Sequence, residues 1–90
     1  MEVVVEWSNS KNEWLKENRN VCFEDVENCI INDEIIDIRP HPNQEKYPHQ
    51  RIFVIRINGY IHYVPFVEDE DKIFLKNIIP SRKLNAEYWQ

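Results

Sequence analysis

His41, His49 and His62 carry imidazoles that titrate near neutral pH, which makes them the candidates for a general base. The cations offer a different chemistry. Arg82 follows Pro80-Ser81, and its guanidinium presents a planar fork of donors that stays charged at any cellular pH, the geometry a phosphate needs. Arg51 leads a β-rich run and can share that role at its mouth. Lys76 and Arg56 each interrupt an otherwise apolar run, and a positive charge on a sheet face must meet solvent, an acid or a ligand. Each of these residues also has a structural reading: Arg82 paired with Glu87 or the acidic stretch Glu68–Asp71, Arg51 with a nearby carboxylate, and the histidines as loop or strand residues without chemistry.

Other chemistries find less to work with. The histidines with Glu68 or Asp69 have no H-x-x-x-H or E-x-x-H spacing, so no metal site is expected. A single glycine leaves no glycine-rich phosphate loop, and no cofactor is expected. Cys22 and Cys29 lie seven residues apart; on a helix their Cα atoms are separated by about 10 Å, beyond disulfide reach, so reduced structural thiols are expected. Trp7, Trp14, Tyr63, Tyr88 and Trp89 are read as core or interface anchors rather than base-stacking platforms.

The elements that must position these groups follow from periodicity. Three valines in Glu2–Glu6 favour a strand. Ser10 and Glu13 have capping-box spacing, which predicts a helix over Lys11–Asn18 with Trp7, Lys11, Trp14, Leu15 and Asn18 on one face. Phe23, Val26 and Ile30 form the apolar stripe of a second helix, with Glu24 and Asp25 in its first turn. Glu34–Arg39 reads as a strand closed by Pro40. His41–Gln50 holds two prolines and two histidines with no aliphatic residue, and is read as a ligand-accessible loop. Ile52–Ile57 and Tyr60–Val67 flank Asn58-Gly59, which predicts a type I′ hairpin pairing Ile57 with Tyr60, Ile55 with His62 and Phe53 with Val64. Both faces of that hairpin are largely apolar, so it belongs at the sheet centre. Lys72–Ile79 reads as one more strand, and Pro80-Ser81 opens a last helix that Leu84 and Tyr88 pack down.

Size and charge bound the rest. Ninety residues allow one domain, spanning 1–90, with a modest core. The chain is 42% hydrophobic, which predicts folding rather than disorder. No apolar run approaches the roughly 20 residues of a membrane span, and the acidic first twenty residues do not read as a secretory signal, so no membrane association and a cytoplasmic location are expected. The net charge of −5 opposes indiscriminate binding to phosphate backbones, so any nucleic-acid contact must use a local basic patch.

Several motifs resemble one family. Glu6-Trp7, Lys11-Asn12, Leu15-Lys16 and Val21–Val26 look like the opening pattern of the BrnT-like toxins. Arg51–Ile55, Gly59, Lys72–Ile79 and Pro80-Ser81-Arg82-Lys83, ending in Tyr88, are similar to that family's arginine-led strand and its terminus. Cys22 stands where the family has a serine cap. The resemblance implies an α+β, RelE/ParE-like fold: an antiparallel sheet of about four strands with two N-terminal helices and a short C-terminal helix. It implies a toxin of a type II toxin-antitoxin system that acts as an endoribonuclease, inhibits translation and is held by a cognate antitoxin, a small DNA-binding protein.

By position, the resemblance makes Arg82, Arg51, Lys11 and Glu24 the catalytic candidates, with Lys83 adjoining. Lys76, Arg56 and Tyr88 join Lys83 as candidates for substrate binding. RNA cleavage through the 2′-hydroxyl requires removal of its proton, stabilisation of the phosphorane and protonation of the 5′-oxygen, work for which basic and phenolic side chains suffice. The alternative is a non-catalytic interaction domain that keeps the fold and binds a protein partner.

Overall fold

The structure, a computed structural model, describes residues 4–88. Its elements are β1 (Val4–Trp7), α1 (Asn9–Arg19), α2 (Phe23–Ile31), β2 (Asp37–Pro40), β3 (Arg51–Ile57), β4 (Tyr60–Asp69), β5 (Lys72–Leu75), β6 (Ile79–Pro80) and α3 (Arg82–Tyr88). The fold is α+β. Trp89, expected in the core, lies outside the described residues.

The central hairpin forms as its sequence predicts. Asn58 and Gly59 both take positive φ, 54° and 77°, as a type I′ turn requires, and the register pairs Ile57 with Tyr60, Ile55 with His62 and Phe53 with Val64. Alternation then sends two apolar sets to opposite faces. Phe53, Ile55, Ile57, Val64 and Phe66 pack under α1 and α2 through Leu15, Val21, Phe23 and Val26. Ile52, Val54 and Ile61 pack on the other face against Leu84 of α3, with Tyr63 and Tyr88 at the margin.

The sheet itself departs from expectation. It is mixed and six-stranded among the described residues, in the order β1-β5-β4-β3-β2 with β6 also on β4, rather than a four-stranded antiparallel sheet. β1 runs parallel to β5, from Val4 opposite Lys72 to Trp7 opposite Leu75. α1, α2 and the strands β2, β3 and β4 all lie between the two in sequence and supply the long connection that parallel pairing demands, and Trp7 stacks on Phe23 at 5.8 Å.

Local chemistry explains four further departures. α1 starts two residues early because Ser8, in an extended conformation, is the cap and accepts from Lys11 N at 3.3 Å; Ser10 lies inside the first turn. β2 begins at Asp37 rather than Glu34 because Glu34 N–H still donates to Cys29 O at 2.8 Å, closing the end of α2. The predicted strand over 72–79 is broken. Pro65 accepts from Lys76 N at 2.8 Å, so its ring nitrogen faces that neighbour and has no hydrogen to return; beyond it the pairing slips by one residue, from Phe66 opposite Leu75 to Tyr63 opposite Ile79. Trp14 is 42% exposed instead of core, held on the surface between Lys11, 4.3 Å from its ring centre, and Arg19 at 5.0 Å.

Candidate functional site

The sheet divides the nominated residues. Lys11 and Glu24 sit on the helical side, where Glu24 accepts from Asn12 Nδ2 at 2.8 Å. That bond is the main reason its carboxyl lies below the ordinary carboxylate range. Arg51 lines a small cavity on the same side with Phe53 and Phe66, and pairs with Glu68. Arg82, Lys83 and Tyr88 belong to α3 on the opposite face, with Arg56 and Lys76. Among the described residues no hydrogen bond or ion pair joins Arg82 to Lys11, Glu24 or Arg51.

Arg56 and Lys76 are also apart. Arg56 pairs across the hairpin with Ile61 near the turn, donates to Tyr88 O at 3.5 Å, and lines a cavity with Cys29, Glu34 and Gly59. Lys76 lies towards the other end of the hairpin, beside Pro65.

What the α3 face does assemble is a groove of two adjoining cavities that share Pro42 and Tyr63. The larger, about 680 Å³, is bounded by the 41–50 loop, by Tyr63 and Pro65 of β4, and by Lys76, Asn77 and Ile79 of the broken strand. The smaller, about 440 Å³, lies between β2 and α3 and is lined by Arg39, Ile52, Lys83, Leu84 and Glu87 among others.

Each wall has a local cause. The loop is folded on itself: His41 N donates to Gln50 O at 3.2 Å, Tyr47 N to Asn43 O at 2.9 Å, and Gln44 Nε2 to His41 O at 2.6 Å, while Tyr47 lies 4.5 Å from the His41 ring. The strand break that sets Lys76 at the rim is held from behind by Arg19, whose Nη1 donates to Ile78 O at 2.7 Å. α3 is tied down by Ser81, whose Oγ accepts from Leu84 N at 3.2 Å, and by a latch to β2. In that latch Arg39 donates to Asp37, Glu87 and the Tyr88 hydroxyl, and Tyr88 donates to Asp37 Oδ2 at 2.9 Å. The Tyr88 bond, then Arg39, hold the Asp37 carboxyl low; burial, then Asp37, push the Tyr88 phenol up.

The larger cavity gathers lysines in an acidic chain. Lys46 and Lys76 line the larger cavity with no carboxylate among the described lining residues, and Arg39 and Lys83 face Glu87 in the smaller. His41 is the one histidine among its lining residues. Burial lowers its pKa, and Asn43 N donates to its Nδ1 at 2.9 Å, which leaves the ring proton of the neutral form on Nε2. His62 is buried in the sheet with Nδ1 2.9 Å from Tyr60 O, and His49 is exposed on the loop. No group of three His, Cys, Asp or Glu side chains among the described residues is placed to hold a metal ion. Of the nominated residues, Lys76 and Lys83 reach the groove directly; Tyr88 and Arg82 flank it through α3.

Comparison with protein families, with curated proteins and with solved structures gives no match to this chain. No helix of the described residues is long and apolar enough to cross a membrane. Sequence reasoning missed Arg39, Lys46, Tyr47 and Tyr63. The usable signal was the loop itself, whose lack of aliphatic residues marks it as accessible but does not tell which face of the sheet it covers.

Proposed function

We propose that this chain is a BrnT-like toxin with a RelE/ParE-type fold, which binds single-stranded RNA along the α3-face groove and cleaves it through the 2′-hydroxyl. The observation that carries this reading is the gathering of Lys46, Lys76 and Lys83 around one groove of a chain whose net charge is −5. Phosphates settle where cations cluster and carboxylates are few, and Tyr47 and Tyr63 supply rings on which bases stack. Arg82, exposed at the start of α3 beside Lys83, offers the fork for the scissile phosphate. A small DNA-binding antitoxin with basic segments would match the acidic remainder of the surface.

A second reading, the non-catalytic interaction domain, is favoured by one observation: Arg51, Arg39 and Glu24 spend their charge on internal partners, and the sheet separates the quartet the resemblance implies. The experiment compares wild type, Arg82→Ala and the Lys76→Ala/Lys83→Ala pair for growth arrest on induction in bacteria and for RNA cleavage, at matched soluble expression. Loss of transition-state charge stabilisation should slow cleavage by roughly 100-fold or more. Equal cleavage by all three removes the groove from the reaction, and no cleavage by wild type puts the interaction domain ahead.

A further inference from the structure

The larger cavity is selective in what it leaves available for bonding. Three of its acceptor atoms are already committed to the chain. Asn77 Oδ1 takes Ile78 N at 2.9 Å and Arg19 Nη1 at 3.3 Å, Asn43 Oδ1 takes Lys46 N at 3.2 Å, and His41 Nδ1 takes Asn43 N at 2.9 Å. What remains on the same side chains is donors, two amide NH₂ groups and the imidazole Nε2–H, alongside the ammonium groups of Lys46 and Lys76; the Gln50 amide and the Tyr47 and Tyr63 hydroxyls can both donate and accept. The apolar walls are the rings of Tyr47, Tyr63, Pro42 and Pro65, with Ile79. A volume of about 680 Å³ suits a ligand larger than a bare anion.

We infer that this cavity binds one nucleoside phosphate, its phosphate on Lys46 and Lys76 and its base against Tyr47 and Tyr63. The ligand is either a free nucleotide or the 5′-phosphorylated end of single-stranded RNA; the second source rests on the RNA reading above, the first does not. Lys46 and Lys76 are exposed, and among the described residues their ammonium groups make no hydrogen bond, only exposed contacts with the rings of Tyr47 at 5.3 Å and Phe74 at 5.0 Å, so replacing them tests binding more than folding.

The full chain is titrated by calorimetry and by NMR with adenosine 5′-monophosphate, adenosine, inorganic phosphate, and a short single-stranded RNA with and without a 5′-phosphate. The monophosphate and the phosphorylated RNA bind, and adenosine and inorganic phosphate bind at least about tenfold more weakly. Lys46→Ala/Lys76→Ala loses roughly tenfold or more in affinity for the monophosphate. Tyr47→Leu weakens the monophosphate but not inorganic phosphate, and Lys16→Ala, outside the groove, changes neither. Phosphorylated RNA binding well above the monophosphate assigns the site to an RNA end; equal binding assigns it to a free nucleotide. Absence of monophosphate binding, a double variant equal to wild type, or inorganic phosphate matching the monophosphate overturns the inference. RNA cleavage followed in the same samples separates the two ideas: nucleotide binding without cleavage removes the ribonuclease and keeps the site, and cleavage without nucleotide binding does the reverse.

Discussion

Asn12 offers a test of how the helical layer is held together. It is 4% exposed, its Oδ1 accepts from Phe23 N at 2.8 Å and its Nδ2 donates to Glu24 Oε1 at 2.8 Å. Cys22, the residue in the capping position of α2, makes no side-chain cap bond, so α1 supplies from across the layer an acceptor that α2 lacks locally. Asn12→Ala strands the Phe23 N–H in the core, a loss of about 1–3 kcal/mol. The bond to the exposed Glu24 adds well under about 1 kcal/mol because solvent competes for it. A total of about 1–3.5 kcal/mol corresponds to a fall in Tm of roughly 4–28 °C for a domain of this size. The assay is thermal unfolding followed by circular dichroism, with Asn12→Asp as companion. Aspartate still accepts from Phe23 N but faces the Glu24 carboxylate, so it is destabilised at neutral pH and recovers as acid protonates one of the pair. In the wild type Glu24 adds stability above its ordinary value of 4.5, lost as pH falls through its lower folded value; Asn12→Ala flattens that loss. An Asn12→Ala Tm within about 3 °C of wild type refutes the reasoning.

Two further outcomes are expected. Burial lowers the pKa of both His62 and His41 from 6.5, so stability is full above pH 6.5 and falls as the pH drops through their folded values; His62→Gln should remove part of that slope in urea titrations, and a slope unchanged in the variant counts against it. Burial pushes the thiols of Cys22 and Cys29 up, so both should alkylate more slowly in the native chain than in denaturant at pH 8, giving two adducts by mass; a disulfide or native-rate labelling contradicts this.

The parts of the fold legible in the sequence are those set by neighbours along the chain. Asn58-Gly59 admits few turns, and apolar residues on both sides of Arg51–Val67 require cover above and below, so hairpin, register and central position follow together. The second helix was equally local, through Phe23, Val26 and Ile30. Parallel pairing of β1 was not legible because three valines state a strand and not its partner. Nor was the break at Lys76, which is caused by a proline on the opposite strand. Lys76 was nominated for its charge and Lys83 by likeness of motif, and the structure sets each in one of the two adjoining cavities. Arg51, Lys11 and Glu24 were nominated by likeness of motif, which carries no information about which side of a sheet a residue will face. Lys46 and Tyr47 were hidden because a loop's composition shows that it is exposed but not what it leans over.

The parallel seam between β1 and β5 also orders events during synthesis. β1 leaves the ribosome before the other described elements, yet the strand it must join, Lys72–Leu75, is made after most of them. Until then Val5 and Trp7 have no sheet to lie against, and α1 and α2 have no floor until Phe53, Val64 and Phe66 are made. The hairpin can zip as soon as it emerges, being local, but it must then capture the helices from far upstream, the kind of long-range closure that slows folding. A nascent chain stalled before residue 72 should therefore hold its N-terminal segment accessible to protease, and release from the stall should protect the two ends together.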